Sequence, residues 1–424
     1  MKKLLITLLA LLPMVSPSQT LDECQRAAEQ NYPLIRQYDL IARTTDLTVS
    51  NIGKAWLPQV TATAQATYQS DVTSWPDQMQ TMLYQMGVDI KGLKKDQYRV
   101  GIDVQQTVFD GGRIGHSQAV AREQGKVQAA QTEVGLYAVR QRVNEMYFGL
   151  LLLDDQIRLN RDVQQLLAAN EKKLASMYKR GTAAESDYNN VWAEQLNVAQ
   201  QLTSLLSQRE ALARMLGTFC GIEVNAVQKP VVTATEPFST VNQRPELKLV
   251  DSQLRLADAQ EKLLDAALLP QVSLFAQGYY GYPGYNMFED MMRHDWSLNG
   301  MVGARLTWNI GALYSRHNDK AKLQLQRQNA ENNRDIFMYN NQLDQVRHNE
   351  EIERYRSLVA SDDEIIVLRE KVRKAAESKL SHGIIDVNDL VKEINSENAA
   401  RVQRSLHEIE LLKSIYNLKF TTNN

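Results

Sequence analysis

The residues of this chain with chemical potential are few: two cysteines, six histidines and some clustered carboxylates. Cys24 and Cys220 could form a disulfide in an oxidising compartment, or stand as two unpaired small apolar residues. The histidines, at 116, 294, 317, 348, 382 and 407, have no metal-ligand spacing, so no metal site is expected. There is no HExxH, no phosphate-binding GxxxxGK[ST], no GxSxG and no GxGxxG, so neither an enzyme nor a cofactor is expected. Asp154-Asp155 and Asp362-Asp363-Glu364 fall in helical stretches, where they read as solvated faces. Asp187, Asp386 and Asp389 stand just after Gly181 and Gly383. There a carboxylate either caps a helix start or places negative charge at the end of a hairpin.

Composition narrows the partners. With 48 Lys+Arg against 50 Asp+Glu and a formal charge of −2, nucleic acid is not expected as a partner, because phosphate binding needs a basic excess. Hydrophobic residues at 43% and charged residues at 23% are values of an ordered chain. The ten Pro are absent between residues 77 and 229 and after 283, which predicts very long helices. Lys2-Lys3, the apolar run 4–15 and Ser16-Pro17-Ser18 predict a signal peptide over 1–18. No later apolar run approaches the roughly 20 residues of a membrane-spanning helix. The mature chain is therefore expected to be exported, either soluble or held in an outer membrane by strands.

An internal repeat organises the rest. Pro33 and Pro58 are 25 residues apart, as are Pro245 and Pro270, and the second Pro of each pair lies in an identical Leu-Pro-Gln-Val. Later matches, Val100-Gly101 with Val302-Gly303 and Gly181/Asp187 with Gly383/Asp389, have an offset of 202 instead of 212. The reading is a first repeat over 19–222, a waist linker over 223–242 and a second repeat over 243–424.

Each repeat opens with a helix that starts at its Pro and ends at Leu-Pro. Two strands follow, expected at 58–70 and 99–109 in the first repeat and at 270–282 and 298–309 in the second. Their alternation is clean: Val60, Ala62, Ala64, Ala66 and Tyr68 against Gln59, Thr61, Thr63, Gln65 and Thr67. The second strand reads Val100, Ile102, Val104 and Val108 against Arg99, Asp103, Gln105 and Thr107. Such strands fit a barrel wall between lipid and water, or an ordinary half-buried antiparallel sheet. The aromatic segments joining them suit exposed loops or a ligand-binding surface. Long helical hairpins come next, over 113–217 and 312–418, with tips at Gly181 and Gly383. In the first, Val139, Val143, Met146, Leu150, Leu153 and Ile157 keep 3- and 4-residue spacing, a side-by-side packing seam. Four strands cannot close a barrel; two copies supply the minimum of about eight, and three supply twelve.

These Leu-Pro-Gln-Val strand starts, strand-Gly-Gly-helix joins and paired Gly-x5-Asp tips resemble the TolC family of outer membrane efflux proteins, over about residues 21–418. The resemblance implies a mixed α and β membrane protein. A tandem-repeat protomer would build a homotrimer, with a 12-stranded β-barrel in outer membrane lipid continued by a long periplasmic α-helical barrel. It implies a passive export channel in the outer membrane, extending into the periplasm. The expected partners are a periplasmic adaptor protein and an inner-membrane pump. It places adaptor contact at Gly181, Thr182, Ala183, Gly383, Ile384 and Ile385, and the periplasmic gate at Asp187 and Asp389, with Asp386 as a further candidate. A second acidic residue of the family's later hairpin falls on Lys392 here. The competing reading is a non-conducting exported coiled-coil scaffold or adhesin with a β head.

Overall fold

The computed structural model describes residues 18–90, 92–231 and 242–423. The expected signal peptide, save residue 18, and residues 232–241 of the expected waist linker lie outside the described residues. The elements run α1 (Leu21–Asn31), α2 (Arg36–Gly53), β1 (Gln59–Tyr68), α3 (Asp77–Gln85), β2 (Asp96–Phe109), α4 (Arg113–Lys179) and α5 (Glu185–Cys220). The second repeat continues with α6 (Pro245–Ala266), β3 (Gln271–Tyr282), α7 (Met287–Arg293), β4 (Ser297–Thr307), α8 (Ala312–Ser381) and α9 (Val387–Thr422). No described helix is long and apolar enough to cross a membrane.

Helix α1 has no counterpart in the sequence reading. It is nucleated by a reciprocal cap, in which the Thr20 hydroxyl accepts from Glu23 N and the Glu23 carboxylate accepts from Thr20 N at 2.9 Å. Helix α5 continues beyond the expected end to Cys220, and Gly221 at φ 70° stops it. Helix α9 likewise continues to Thr422.

The chain forms two compact units. One holds Asp39–Ala129 and Val250–Asn332. Its four strands form one antiparallel sheet in the order β1-β2-β3-β4, so the β2–β3 pair joins the two repeats and β1 and β4 are the edges. The repeats brace their helices differently. In the first, Gly125 of α4 lets Thr45 of α2 approach so closely that an added Cβ would meet its hydroxyl at 2.3 Å. At the matching position of α8 stands Arg327, which reaches Asp258 at 2.8 Å and Glu261 at 2.7 Å on α6. Lys320 and Arg316 extend this cluster to Asp265, at 3.1 and 3.0 Å.

Hydrogen bonds from Arg327 and Lys320 hold the Glu261 carboxyl below its usual range, and Lys320 does the same for Asp265. A carboxylate depressed on folding contributes above its unfolded pKa and loses that contribution as pH falls through the folded value. The α6–α8 contact is therefore expected to loosen below about pH 4. Spin labels at Lys262→Cys and Lys322→Cys should report a distance distribution that broadens between pH 6 and pH 3, and one already broad at pH 6 with Asp265→Ala and Glu261→Ala.

The other unit runs through Tyr38, then Ala130–Leu249 and from Asn333. Val139, Val143, Leu150 and Ile157 of the predicted seam are buried on α4. The first three form a core with Leu21 and Ala28 of α1, Leu216 of α5 and Ile409 and Leu412 of α9. Each such side chain contributes roughly 1.5–3 kcal/mol when fully buried. Tyr147 lies in this core, its hydroxyl 2.8 Å from Gln19 O and 2.6 Å from Gln228 O, beside a Gln19–Val227 bridge. Arg244, just before α6, lies 4.6 Å from the ring centres of both Tyr137 and Phe420. That stacking ties the start of the second repeat to α9.

Candidate functional site: the sheet faces and the hairpin ends

Register fixes which residues share a face. Directly opposed residues of antiparallel strands point the same way. The pairs Val60↔Val104 and Ala64↔Val100 therefore continue to Ala276↔Val302 and Tyr280↔Leu298, while Ala62↔Ile102 continues to Gly278↔Gly300. Apart from Gln106, which opposes Leu274, the central rows of this face are apolar or glycine across four strands, and within one chain the face is bare, with Val302 81% and Leu298 83% exposed. Aromatics mark its two ends. Tyr68, Tyr98 and Tyr280 stand at one, where Trp296 packs 6.2 Å from Tyr98 and 5.4 Å from Tyr280; Phe109 and Trp308 stand at the other. An apolar band of strands of about ten residues with aromatic rims is what a membrane-crossing sheet requires.

One part of the sequence reading is corrected. A bulge between Thr107 and Phe109 shifts the register, so Phe109, not Val108, opposes Val272 on the apolar side. Trp308 and Asn309 also lie beyond the end of β4, and the Trp308 indole N–H donates to Leu268 O at 2.9 Å.

The opposite face is polar. Gln65 opposes Arg99, whose Nε donates to the Gln65 amide oxygen at 2.7 Å, and Thr61 opposes Asp103. Its large rings lie over glycines: Tyr279 opposes Gly101, Phe275 opposes Gly303, and Arg305 stacks on Phe275 at 5.0 Å. A Cβ at Gly101 would sit 2.7 Å from Tyr279, so the glycine is what lets that side chain lie flat. At one end, residues 283–287 fold over this face. Tyr285 N donates to Asn299 Oδ1 at 2.8 Å, and Tyr279 and Tyr285 meet edge to face at 5.4 Å.

The two aromatic strand-joining segments, expected as exposed loops or a ligand-binding surface, each carry a short helix, α3 or α7, and share a small core. Leu93, Tyr282 and Met291 are buried against Val72, Trp75 and Ile90. Tyr282 Oη accepts from Lys94 N at 2.9 Å, and His294 Nε2 lies 2.6 Å from Gly92 O.

The hairpin ends are built alike. Gly181 and Gly383 take φ of 72° and 70°. The following N–H groups reach back five residues, Thr182 N to Met177 O at 2.9 Å and Ile384 N to Lys379 O at 3.0 Å. This is the left-handed glycine stop that turns a helix sharply back. Asp386 is the N-cap of α9, accepting from Asp389 N at 2.9 Å. Asp187 lies within the first turn of α5 and accepts from Ala184 N at 3.2 Å. The returning helix thus starts at Glu185, before the expected Asp187.

Below the tips the two hairpins share a core: Leu167 and Leu174 of α4, Val191 of α5, Ala376 of α8, and Val387, Leu390 and Ile394 of α9. Ala183 and Ile385 pack partly against it, while Gly181, Thr182, Gly383 and Ile384 are exposed. Two hydrogen bonds from side-chain amides cross between hairpins: Asn190 Nδ2 donates to Asn388 Oδ1 at 3.2 Å, and Asn395 Nδ2 to the Glu194 carboxylate at 2.9 Å.

Of the other acidic clusters, expected as solvated faces, Asp363 and Glu364 are exposed, but four of the carboxylates have partners on other helices. Asp154 pairs with Arg209 at 2.5 Å, Asp155 accepts from Ser405 at 2.8 Å, Asp362 lies 2.6 Å from His407 Nδ1, and Asp363 pairs with Arg404 at 2.9 Å. They fasten long helices to one another.

Residues 26–218 match the outer membrane efflux protein family. No curated relative matches the chain by sequence. The efflux fold extends over both repeats. The outer-membrane channel OprN superposes with a TM-score of 0.68 at 14% identity, covering 95% of this chain and 89% of its own. The CmeC outer membrane channel of Campylobacter jejuni gives 0.66 at 12% identity, covering 95% and 85%. The outer membrane protein VceC of Vibrio cholerae gives 0.65 at 13% identity, covering 95% and 94%. The mostly helical chain with one small sheet thus shares the fold of these channels.

Proposed function

We propose that three copies of this chain close a 12-stranded barrel in the outer membrane and continue it as a periplasmic helical tunnel, a passive conduit for exported substrates. The observation that carries this is the bare apolar face with aromatic rims on a sheet whose edges, β1 and β4, have no further strand partner among the described residues. Unpaired edges invite a strand from another copy. A seam on α8 points the same way: Ile336, Tyr339, Leu343 and Val346, then Ile365, Leu368 and Val372, are all exposed at 3- and 4-residue spacing. Three copies, and not two, is what the efflux family implies. A scaffold or adhesin head would not need a complete lipid-type face, and that alternative has no support.

In this reading the polar face lines the lumen, and residues 283–287 narrow it. The hairpin ends are the periplasmic mouth. The exposed Gly181, Thr182, Gly383 and Ile384 meet the adaptor, with Ala183 and Ile385 supporting them from the core. The inner-membrane pump supplies the energy. An adaptor that binds the splayed arrangement of the tips better than the packed one would shift the equilibrium toward open. Asp389 offers the gate charge; Asp187 and Asp386 act first as helix caps, each worth roughly 1 kcal/mol. The experiment is gel migration of the detergent-extracted outer membrane protein. Unheated, it should run at three times the protomer mass and collapse to the protomer on boiling. Migration as a protomer both unheated and after cross-linking in the membrane would refute the assembly.

A further inference from the structure

We infer that Cys24 and Cys220 are joined by a disulfide in the mature protein, a covalent buckle between α1 and the end of α5. They are the only two cysteines in the sequence, and 196 residues separate them. Both are buried in the same core, at 0% and 2% exposure. They stand as free thiols in the structure, with the Cys220 thiol 3.3 Å from the Cys24 carbonyl oxygen. The Cys24 side chain, followed by burial, holds the Cys220 thiol well above its usual range. Two thiols meeting in a packed core at such separation are placed by the fold, not by local sequence.

The neighbours hold the same junction. The Asn31 side-chain amide, at the end of α1, donates to Thr218 O at 3.1 Å and to Phe219 O at 3.2 Å. Tyr32 packs on Phe219 with ring centres 5.5 Å apart. A bond here would make this contact permanent. The inference rests on the reading of the chain as exported, since disulfides persist in oxidising compartments.

The chemistry balances with an oxidant of the protein-disulfide class. A thiolate of the pair attacks that disulfide and forms a mixed disulfide, and the second thiol then displaces it. The pair loses two electrons and two protons; the oxidant leaves as a dithiol. Because both sulfurs are closed off in the folded core, the exchange belongs to folding, after α5 has been exported and before the core seals.

The test is thiol counting on the full chain. Protein from purified outer membranes is denatured in acid without reductant, alkylated with iodoacetamide at neutral pH in denaturant, and weighed intact. No added label is expected, two after reduction, and a non-reduced digest should contain one peptide pair linking residues 24 and 220. Cys24→Ser should take one label without reductant. Two labels on unreduced wild-type protein recovered from the outer membrane would overturn the bond and leave the channel reading intact. Two labels on protein that never leaves the cytoplasm of its host would overturn both.

Discussion

Val302→Arg should abolish assembly in the outer membrane, whereas Gln277→Arg, on the adjacent strand at nearly the same level, should assemble normally. Val302 is central in β4 on the apolar face, and Gln277 is central in β3 on the polar face. If the apolar face meets lipid, an arginine at mid-height costs about 2–4 kcal/mol in each protomer, repeated in every copy of the barrel. On the lumen side the same guanidinium is hydrated and changes only the charge lining the path. The heat-modifiable oligomer should therefore disappear for Val302→Arg. It should persist for Gln277→Arg, with ion selectivity moved toward anions. Equal assembly of the two variants would mean that the faces have been assigned the wrong solvents.

A second large effect is expected at the hairpin ends. Leu390 is 1% exposed in the core shared by both hairpins, and Asn395 makes one of the two side-chain amide hydrogen bonds between them. A buried Leu→Ala costs 2–5 kcal/mol, and a hydrogen bond to a charged group contributes about 1.5–3 kcal/mol. Even 3 kcal/mol of this, if lost only from the packed arrangement, raises the splayed-to-packed ratio roughly a hundredfold. Cells carrying Leu390→Ala with Asn395→Ala should become permeable to large antibiotics that wild-type cells exclude, while the oligomer remains intact on unheated gels. Asp386→Ala and Asp389→Ala separate the two roles of the tip carboxylates. Loss of a cap should loosen both states alike; loss of a gate charge should change leak and cation block. An unchanged leak and unchanged cation block in both variants would remove the carboxylates from the gate and leave the apolar core to hold it shut.

What could be read in the sequence follows physical range. The alternation of Val60 to Tyr68 was legible because a strand with an apolar face on one side and a polar face on the other must repeat every two residues. The tips at Gly181 and Gly383 were legible because only a left-handed residue ends a helix that way. The bulge at Thr107–Phe109 left no mark, since one extra residue changes the register but not the composition. Helix α1 could have been found from Thr20-x-x-Glu23, a capping signal, but its eleven residues are too few for a convincing period. Helix α3 carries Met79 and Met82, with Met86 at its C-cap, at helical spacing, a signal too short to stand out in an aromatic segment. The partners of the acidic clusters were hidden for another reason. Ser405 lies 250 residues from Asp155, and His407 lies 45 from Asp362, so no local pattern announces either partner.

The central claim is that the polar face encloses a water-filled path through the outer membrane, closed at the hairpin ends. Single-channel recording of the purified oligomer in planar bilayers tests it most directly. The wild-type protein should give discrete, low-conductance events, and Leu390→Ala with Asn395→Ala should give a conductance several times larger from the same heat-modifiable oligomer. An intact oligomer that inserts and passes no ions, with the tip substitutions as without them, would contradict the account.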